Sequence, residues 1–468
     1  MALLSRLTGI GSSLAWARRD AGRRAKCARE LDRSQWWQPG AVEELALQRL
    51  RRLLAHAVTS CPYYQRISRR LGVGPEDIRK AEDLVHWPIL QKSDILAHGP
   101  DLCAQGWPES DRIWSASSGT TGPPVKFIFD HAALASRMAA MWRHDGWAGW
   151  RPGVRRALLW GATQDFWPVR SLRSRARAAL VTRRLLELDA TQLSASNVEG
   201  YVARLRDFRP QTMLAYAQYL TRFARYIQNA GLEPPRMDAI IVTAEALQPQ
   251  DRRLVESVFG CPVFDRYGSR ETGVIASQCS KESPMHINAE SVLVEFLRDD
   301  RHVRSGQYGE VIVTDLGNYA MPFIRYRIGD VASPQEGRCE CGRGLPLMAP
   351  MAGRTADYVI CPDGRAVNGI WLASQIQDSV PGVLKVQIGQ SGLGELTVRL
   401  VPNRGFSVSC TNRLREKLAE CVQQNVTCRF EVVNDIPPEL PSGKYRFVIS
   451  EIPPERVFGN TMTSAAPA

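Results

Sequence analysis

The sequence contains no continuous apolar stretch of the ~18 or more residues that a membrane-spanning helix needs. Its opening apolar residues are interrupted by Arg6 and followed by Arg18, Arg19, Arg23 and Arg24. A secretory signal wants an unbroken apolar segment and a small-residue cleavage site, and neither stands out. The expected compartment is therefore the cytoplasm. A disulfide framework is also missing. The 11 cysteines are an odd number scattered over a long chain, which fits a reducing compartment. No zinc-finger, helix-turn-helix or aromatic-plus-basic RNA signature occurs, so no nucleic-acid partner is expected. Internal repeats and long low-complexity segments are absent as well. Only residues 458–468, ending Thr463-Ser464-Ala465-Ala466-Pro467-Ala468, read as a disordered tail.

What is present points to a large globular protein. The chain has 468 residues, so two to four domains are expected. At 44% hydrophobic residues it can build a sizeable core without disulfide staples. The net charge of +12 is carried mostly by arginine, most densely from Arg170 to Arg184 through Arg173, Arg175, Arg177 and Arg183. Two readings of that run stay open. It is a surface for polyanions, including peripheral contact with an anionic membrane, or it is a solvated helix face.

Periodicity divides the chain. Residues 1–100 read as a helical lead-in, with Leu45, Leu47, Leu50, Leu53 and Leu54 at helical spacing over 43–57. Pro62-Tyr63-Tyr64 is expected to break that helical run. From about 155 to 275, short apolar strands at 157–160, 212–215, 238–242 and 262–264 alternate with helical stretches. This alternation predicts a parallel α/β sheet. After residue 285 the strands 291–297, 310–315 and 321–327 follow one another with turns between, a more antiparallel texture. A boundary is expected at Gly353-Arg354. Beyond it come a hairpin around Pro362-Asp363-Gly364, a second hairpin through 392–394, and a helix over 411–424. The predicted fold class is thus α/β. A large N-terminal domain of mixed sheets and helices (1–352) precedes a small mobile C-terminal α+β domain (353–457).

The most informative segment is Ser117-Ser118-Gly119-Thr120-Thr121-Gly122. Hydroxyls donate to phosphate oxygens, and glycines let backbone N–H groups turn toward an anion. The segment lacks the closing Gly-Lys-Ser/Thr of a Walker loop. Taken alone it is a phosphate loop or an ordinary polar turn. Four further motifs follow in order: Ala244-Glu245, Tyr267-Gly268-Ser269-Arg270-Glu271, Tyr326-Arg327-Ile328-Gly329-Asp330 and Gly353-Arg354. Ser442-Gly443-Lys444 comes near the end.

This ordered set resembles the adenylate-forming superfamily of acyl-CoA synthetases and luciferases. Within it the chain is most similar to the phenylacetate–CoA ligase-like and capsular-polysaccharide-biosynthesis-type branch. The stretch Asp83-Leu84, Pro88-Ile89-Leu90 and Lys92-Ser93-Asp94 shares that likeness, which spans roughly residues 45 to 455. The resemblance implies ATP-dependent activation of a carboxylic acid to an acyl-adenylate, with pyrophosphate released. Transfer to a thiol of coenzyme A or a carrier protein would follow. It implies that Ser117 to Gly122 embrace the β- and γ-phosphates, and that Ala244, Glu245, Tyr267 and Gly268 lie by the adenine. Asp330 would hold the ribose hydroxyls, and Arg354 would approach the nucleotide. Glu271 would bind Mg²⁺, a hard cation that prefers carboxylate oxygen. Lys444 would reach the carboxylate and α-phosphate. Three positions depart from the pattern. Pro123 replaces a frequent Lys, Arg270 a Thr or Ser, and Ala356 a hinge residue that is often Asp.

Cys279 and His286 form one pair and Cys339 and Cys341 another. Three thiolates and an imidazole match a closed, structural Zn²⁺ site. Four unrelated residues is the competing reading. Two other functions stay open. One is transfer of an acyl or aminoacyl group to a cell-envelope sugar or amine; the other is a non-catalytic nucleotide-binding homologue. Trp142, Trp147, Trp160 and Trp167 could line an aromatic pocket or pack a core. The identity of the acid and the oligomeric state leave no sequence signal.

Overall fold

The computed structural model describes residues 21–117, 124–161, 184–280, 284–298, 300–354, 358–363, 366–369, 372, 376, 380, 382–402, 406–422, 426–436 and 448–452. The tail 458–468, the run from Arg170 to Arg183 and Ala356 lie outside them.

Helices lead. Pro39–Ser60 buries Val42, Ala46, Leu50, Leu53, Leu54 and Ala57, one face of a 3.6-residue period. The helical run breaks just before Pro62, as expected: it ends at Ser60, and Cys61 is extended. What the sequence did not signal is what Pro62 does next. It opens a second helix, Pro62–Leu71. At the first helical position a proline loses nothing, because an N–H there has no partner inside the helix. Buried Tyr64 then donates from its hydroxyl to the Pro322 carbonyl at 2.9 Å, fastening the lead-in to the strands.

The strands Leu185–Asp189, Arg156–Trp160, Thr212–Tyr216, Ala239–Thr243 and Val263–Ser269 run parallel side by side. The helices Val198–Phe208, Ala217–Asn229 and Pro249–Phe259 lie between them in the chain, as crossovers require. Thr212–Tyr216 and Ala239–Thr243 are buried at every position, which suits strands covered on both faces. Gly273–Gln278, Met285–Ile287, Leu347–Met348 and Pro334–Gln335 extend the sheet antiparallel. It counts nine strands among the described residues.

A second sheet is antiparallel, in the order Arg301–His302, Val292–Arg298, Gly309–Asp315, Tyr326–Ala332, Gly353–Arg354. The strand expected over 321–327 begins only at Tyr326. Pro322 has no N–H to give a ladder, and Arg325 takes a left-handed φ of 53°. Its guanidinium fork is instead buried on Glu295, at 3.0 and 2.9 Å. In the last pairing, Asp330 lies opposite Arg354 and Val331 opposite Gly353.

The C-terminal residues form a third body. Tyr358–Ile360 and Ala366–Asn368 make the expected hairpin. Val383–Gly392 and Glu395–Pro402 make the longer one, flanked in parallel by Val448–Ser450 and Thr427–Val432. Val386, Ile388, Leu396, Val398, Leu414 and Leu418 share one hydrophobic core there, while Tyr358 and Ile360 pack with Val331 of the antiparallel sheet. Among the described residues no helix is long and apolar enough to cross a membrane.

Candidate active site and metal-ligand cluster

The parallel strands all finish on one edge of the large sheet, where ligands settle in open α/β folds. Ala244, just past the strand Ala239–Thr243, has φ 75°, uncommon for a residue with a Cβ. Glu245 is a helix cap: the Gln218 N–H donates to its Oε2 at 3.1 Å. A carboxylate at the start of Ala217–Asn229 also suits that helix's dipole. Gly268 is needed for a close approach, since a Cβ there would stand 2.5 Å from the Gly273 carbonyl oxygen.

Ser117 closes the neck of the polar loop. Its N–H donates to the Val125 carbonyl and its Oγ accepts from the Val125 N–H, both at 2.9 Å. Ser118, Gly119, Thr120, Thr121, Gly122 and Pro123 lie outside the described residues, as does Lys444.

Asp330 is the centre of the described site. The Tyr267 hydroxyl donates to its Oδ2 at 2.7 Å and Arg354 Nε donates to its Oδ1 at 3.1 Å. These bonds join the two sheets, because Tyr267 belongs to the large one and Asp330 to the antiparallel one. Burial, and then the Asp330 carboxylate, pushes the Tyr267 phenol well above its ordinary range, so it stays a donor.

Sequence reasoning placed no role on three further groups here. The first is Lys92. Leu90 forms a parallel bridge to Tyr326, with Leu90 N–H to the Arg325 carbonyl at 2.9 Å and Arg327 N–H to the Leu90 carbonyl at 3.0 Å. Two residues on, Lys92 lies in the fields of Glu271 and Arg354. Burial lowers its ammonium, Glu271 opposes that, and Arg354 adds to it. The second is Tyr326, whose phenol is raised by burial first and then by Glu271, with which it hydrogen-bonds. The third is Arg137, on the helix His131–Trp147. It donates to the Arg270 carbonyl at 3.2 Å and to the Glu271 carbonyl, and it pairs with Asp315 at 2.5 Å. Lys92 and Tyr326 stand inside conspicuous motifs; Arg137 stands in none.

The other cluster lies on the antiparallel strands that extend the large sheet. Cys279 follows the strand Gly273–Gln278. His286 is on Met285–Ile287, opposite Ser277 on one side and Leu347 on the other. The turn holding Cys339 and Cys341 relies on Gly342 at φ 80°. The four ligand atoms all fall within 4.8 Å of one another. Cys279 Sγ is 3.6 Å from Cys339 Sγ, and His286 Nε2 is 3.3 Å from the sulfurs of both Cys279 and Cys341. Tetrahedral bonds of ~2.0–2.3 Å set neighbouring ligand atoms about 3.3–3.8 Å apart, so the set fits zinc. Burial, then Arg343, pushes the His286 imidazole down to about 4, leaving it neutral as a ligand must be. Burial would raise the Cys341 thiol, but hydrogen bonds from the Arg343 backbone and side chain and from Cys339 and Cys279 lower it.

Residues 359–451 match the family model for the CapK C-terminal domain. A phenylacetate-coenzyme A ligase of Thermus thermophilus is 28% identical over 441 residues, covering 87% of this chain and 96% of that protein. Protein CapK of Staphylococcus aureus is 24% identical over 419 residues, covering 87% and 89%. Over most of its length the chain is thus similar to phenylacetate-coenzyme A ligases and to CapK, the branch of the adenylate-forming superfamily that its motifs resemble. The adenylate-forming fold is also that of a solved 2-hydroxyisobutyryl-CoA ligase, similar at 20% identity with a TM-score of 0.72 over 90% of this chain and 92% of that one.

Of the four tryptophans singled out in the sequence, one lies at each of the two clusters. Trp160 packs at a tilt against Tyr216, ring centroids 4.2 Å apart, at the ligand edge of the sheet. Trp147 packs instead against His286 at 5.5 Å and under Arg343 at 4.5 Å. Trp142 lies 5.9 Å beneath Arg24, and Trp167 is outside the described residues.

Proposed function

We propose that the chain joins a carboxylic acid to coenzyme A in two steps driven by ATP. A carboxylate oxygen attacks the α-phosphorus and the bond to pyrophosphate breaks, giving the acyl-adenylate. The thiol sulfur then attacks the acyl carbon, its proton is lost, and AMP leaves. The observation that carries this reading is Asp330, an acceptor pinned at the seam of two sheets by Tyr267 and Arg354. The curated relatives named phenylacetate-coenzyme A ligase support the same reaction class.

In this reading Asp330 keeps lone pairs for the ribose hydroxyls, because each of its oxygens has given only one to a protein donor. Tyr267, Gly268 and Ala244 flank the adenine, with Glu245 shaping that edge as the cap of its neighbouring helix. Ser117 anchors the loop Ser118 to Gly122 over the phosphates. Two anions must approach each other, so cations matter: Lys92 and Arg354 face the site, and Lys444 serves the α-phosphate. Glu271, steadied by Tyr326 and by Arg137 behind its backbone, is the residue that would hold Mg²⁺, which offsets phosphate charge. Cys279, His286, Cys339 and Cys341 would hold a structural Zn²⁺. The small domain from 353 to 457 would carry Lys444 between half-reactions.

Pyrophosphate release over a panel of aryl and aliphatic acids, with and without coenzyme A, tests the proposal. Carboxylate-dependent release, lost in Asp330→Ala and Lys444→Ala, is expected. Release from no acid by protein that still binds ATP would count against it. A second reading, which the sequence resemblance to the capsular-polysaccharide-biosynthesis-type branch leaves open, changes the acceptor to a cell-envelope sugar or amine. Acyl-adenylate that forms but is not turned over by coenzyme A would select that acceptor.

A further inference from the structure

The Cys339–Cys341 turn does not stand alone. It continues into Arg343 and Gly344, and these two residues receive the turn that joins the leading helical segment to the helix Pro39–Ser60. The Gly344 N–H donates to the Gln35 carbonyl at 2.9 Å. A Cβ on Gly344 would stand 1.8 Å from the Trp37 carbonyl oxygen, so only glycine permits the approach. Arg343 Nε donates to Gln35 Oε1 at 2.9 Å, and Trp147 Nε1 donates to the same oxygen at 3.0 Å. The Arg343 guanidinium lies between the Trp36 ring, at 4.7 Å, and the Trp147 ring, at 4.5 Å. Farther out, Arg338 Nη2 donates to Gln38 Oε1 at 2.7 Å.

Each of these contacts begins within three residues of a proposed zinc ligand or on a ring packed against one. Arg343 also hydrogen-bonds the Cys341 sulfur, and Trp147 packs edge-on against His286. Elsewhere the turn's hydrogen bonds go to its neighbours in sequence: the Gln38 carbonyl accepts from the Ala41 and Val42 N–H groups, and Gln35 Nε2 donates to the Asp32 carbonyl. Trp36 and Trp37 remain 53% and 45% exposed, and the turn's own amides reach only Leu31, Arg33 and Ser34 carbonyls. A second anchor lies just before it and makes no hydrogen bond to the loop 339–344: Ser34 Oγ donates to Glu290 at 2.5 Å and Arg143 donates to the Leu31 carbonyl at 3.2 Å.

We infer that the Cys/His cluster is a metal-dependent clasp. With its ion bound, the loop 339–344 is rigid enough to seat residues 35–38; without it, that turn lets go while Ser34 stays anchored on Glu290. The inference rests on the zinc reading and goes beyond it. A structural metal usually braces its own loop; here it would also govern the docking of a separate segment some three hundred residues away in sequence.

The test uses the full chain. Zinc content is measured, then amide exchange is followed before and after chelation, and again after Zn²⁺ or Mg²⁺ is returned. Exchange in peptides covering 31–38 should rise about tenfold or more on chelation. Zn²⁺ should restore it, Mg²⁺ should not, and the Pro39–Ser60 helix should keep its protection throughout. Gly344→Ala should produce the same rise with zinc still bound. Gln35→Ala, which keeps the glycine, should produce a smaller one and serves if the first variant does not fold. Stoichiometric zinc whose removal leaves 31–38 unchanged overturns the clasp and leaves the zinc site standing. Exchange that rises equally in Pro39–Ser60 overturns it as a local device. Absence of stoichiometric zinc overturns both.

Discussion

The Asp330 corner, where the two sheets meet, and the Cys/His corner of the large sheet are built on opposite terms. At Asp330 the protein supplies the partners: a phenol on one oxygen and a guanidinium on the other. Such a carboxylate is satisfied by the fold and keeps its shape between turnovers. At the other corner three sulfurs and one imidazole nitrogen face one another. Thiols are weak hydrogen-bonding groups, and convergence of soft ligands is what a soft or borderline cation rewards. The contrast teaches where damage should appear. Changes at Asp330 belong in the rate, and changes at the cysteines belong in the folded state.

Asp330→Ala should break the first corner outright. Losing a preorganised contact of this kind costs about 3–4 kcal/mol of barrier, so pyrophosphate release should fall ~10²–10³-fold. Zinc content, measured on the same sample, should stay at the wild-type level. A fall in both would mean that the corners are one unit.

Cys341→Ser is the matching break at the other corner. Apparent zinc binding energies of roughly 10–16 kcal/mol spread over four ligands put about 3 kcal/mol on each. The variant should therefore bind zinc ~10²-fold more weakly, read by competition with a chelator. Unchanged affinity would remove Cys341 from the ligand set.

Both corners were legible in the sequence as residue types in order, while their supports were not. Glu271 and Asp330 stand in compact motifs, and Cys339 and Cys341 are two residues apart. Lys92 reaches the site only because Leu90 pairs with Tyr326, a bridge across more than two hundred residues that no local pattern encodes. Arg137 sits in an ordinary helical stretch, and its role appears only when the Glu271 carbonyl lies above it. Glu245 shows the reverse. Its motif suggested a place beside adenine, and the fold spends one of its oxygens on capping Ala217–Asn229. Pro62 and Arg325 mark a third limit. A proline reads as a stop whether it ends a helix or begins one, and a left-handed arginine leaves no trace in composition.

The strand Val263–Ser269 runs between the corners and carries its own buried carboxylate. Asp265, two residues before Tyr267, is pushed up to about 6 by burial, with Arg252 pulling against that. Its backbone N–H donates to Gln278, the neighbour of Cys279. A carboxyl raised on folding binds its proton more tightly in the native state. Its contribution is therefore fully present below the ordinary value near 4 and lost as pH rises to about 6. Urea stability should fall by no more than about 2–3 kcal/mol over that window from this group. Asp265→Asn should flatten the slope there and leave the rate at neutral pH close to wild type. A slope that persists in the variant would assign the titration to another group.

The smallest expected effect is the most discriminating one. Tyr267→Phe keeps the ring against the proposed adenine edge and removes only the donor to Asp330 Oδ2. One donor to a buried carboxylate is worth about 1.5–3 kcal/mol net, or roughly 10- to 150-fold in kcat/KM for ATP. Arg354 still holds Oδ1 in the variant, so the carboxylate should stay at the seam and the loss should remain below that of Asp330→Ala. If the two losses are equal, the phenol is what aims the carboxylate, and the two sheets are held in register there by that single bond. If Tyr267→Phe costs nothing, Arg354 alone positions Asp330, and the pairing of Asp330 with Arg354 across the last two strands of the antiparallel sheet is what fixes the acceptor.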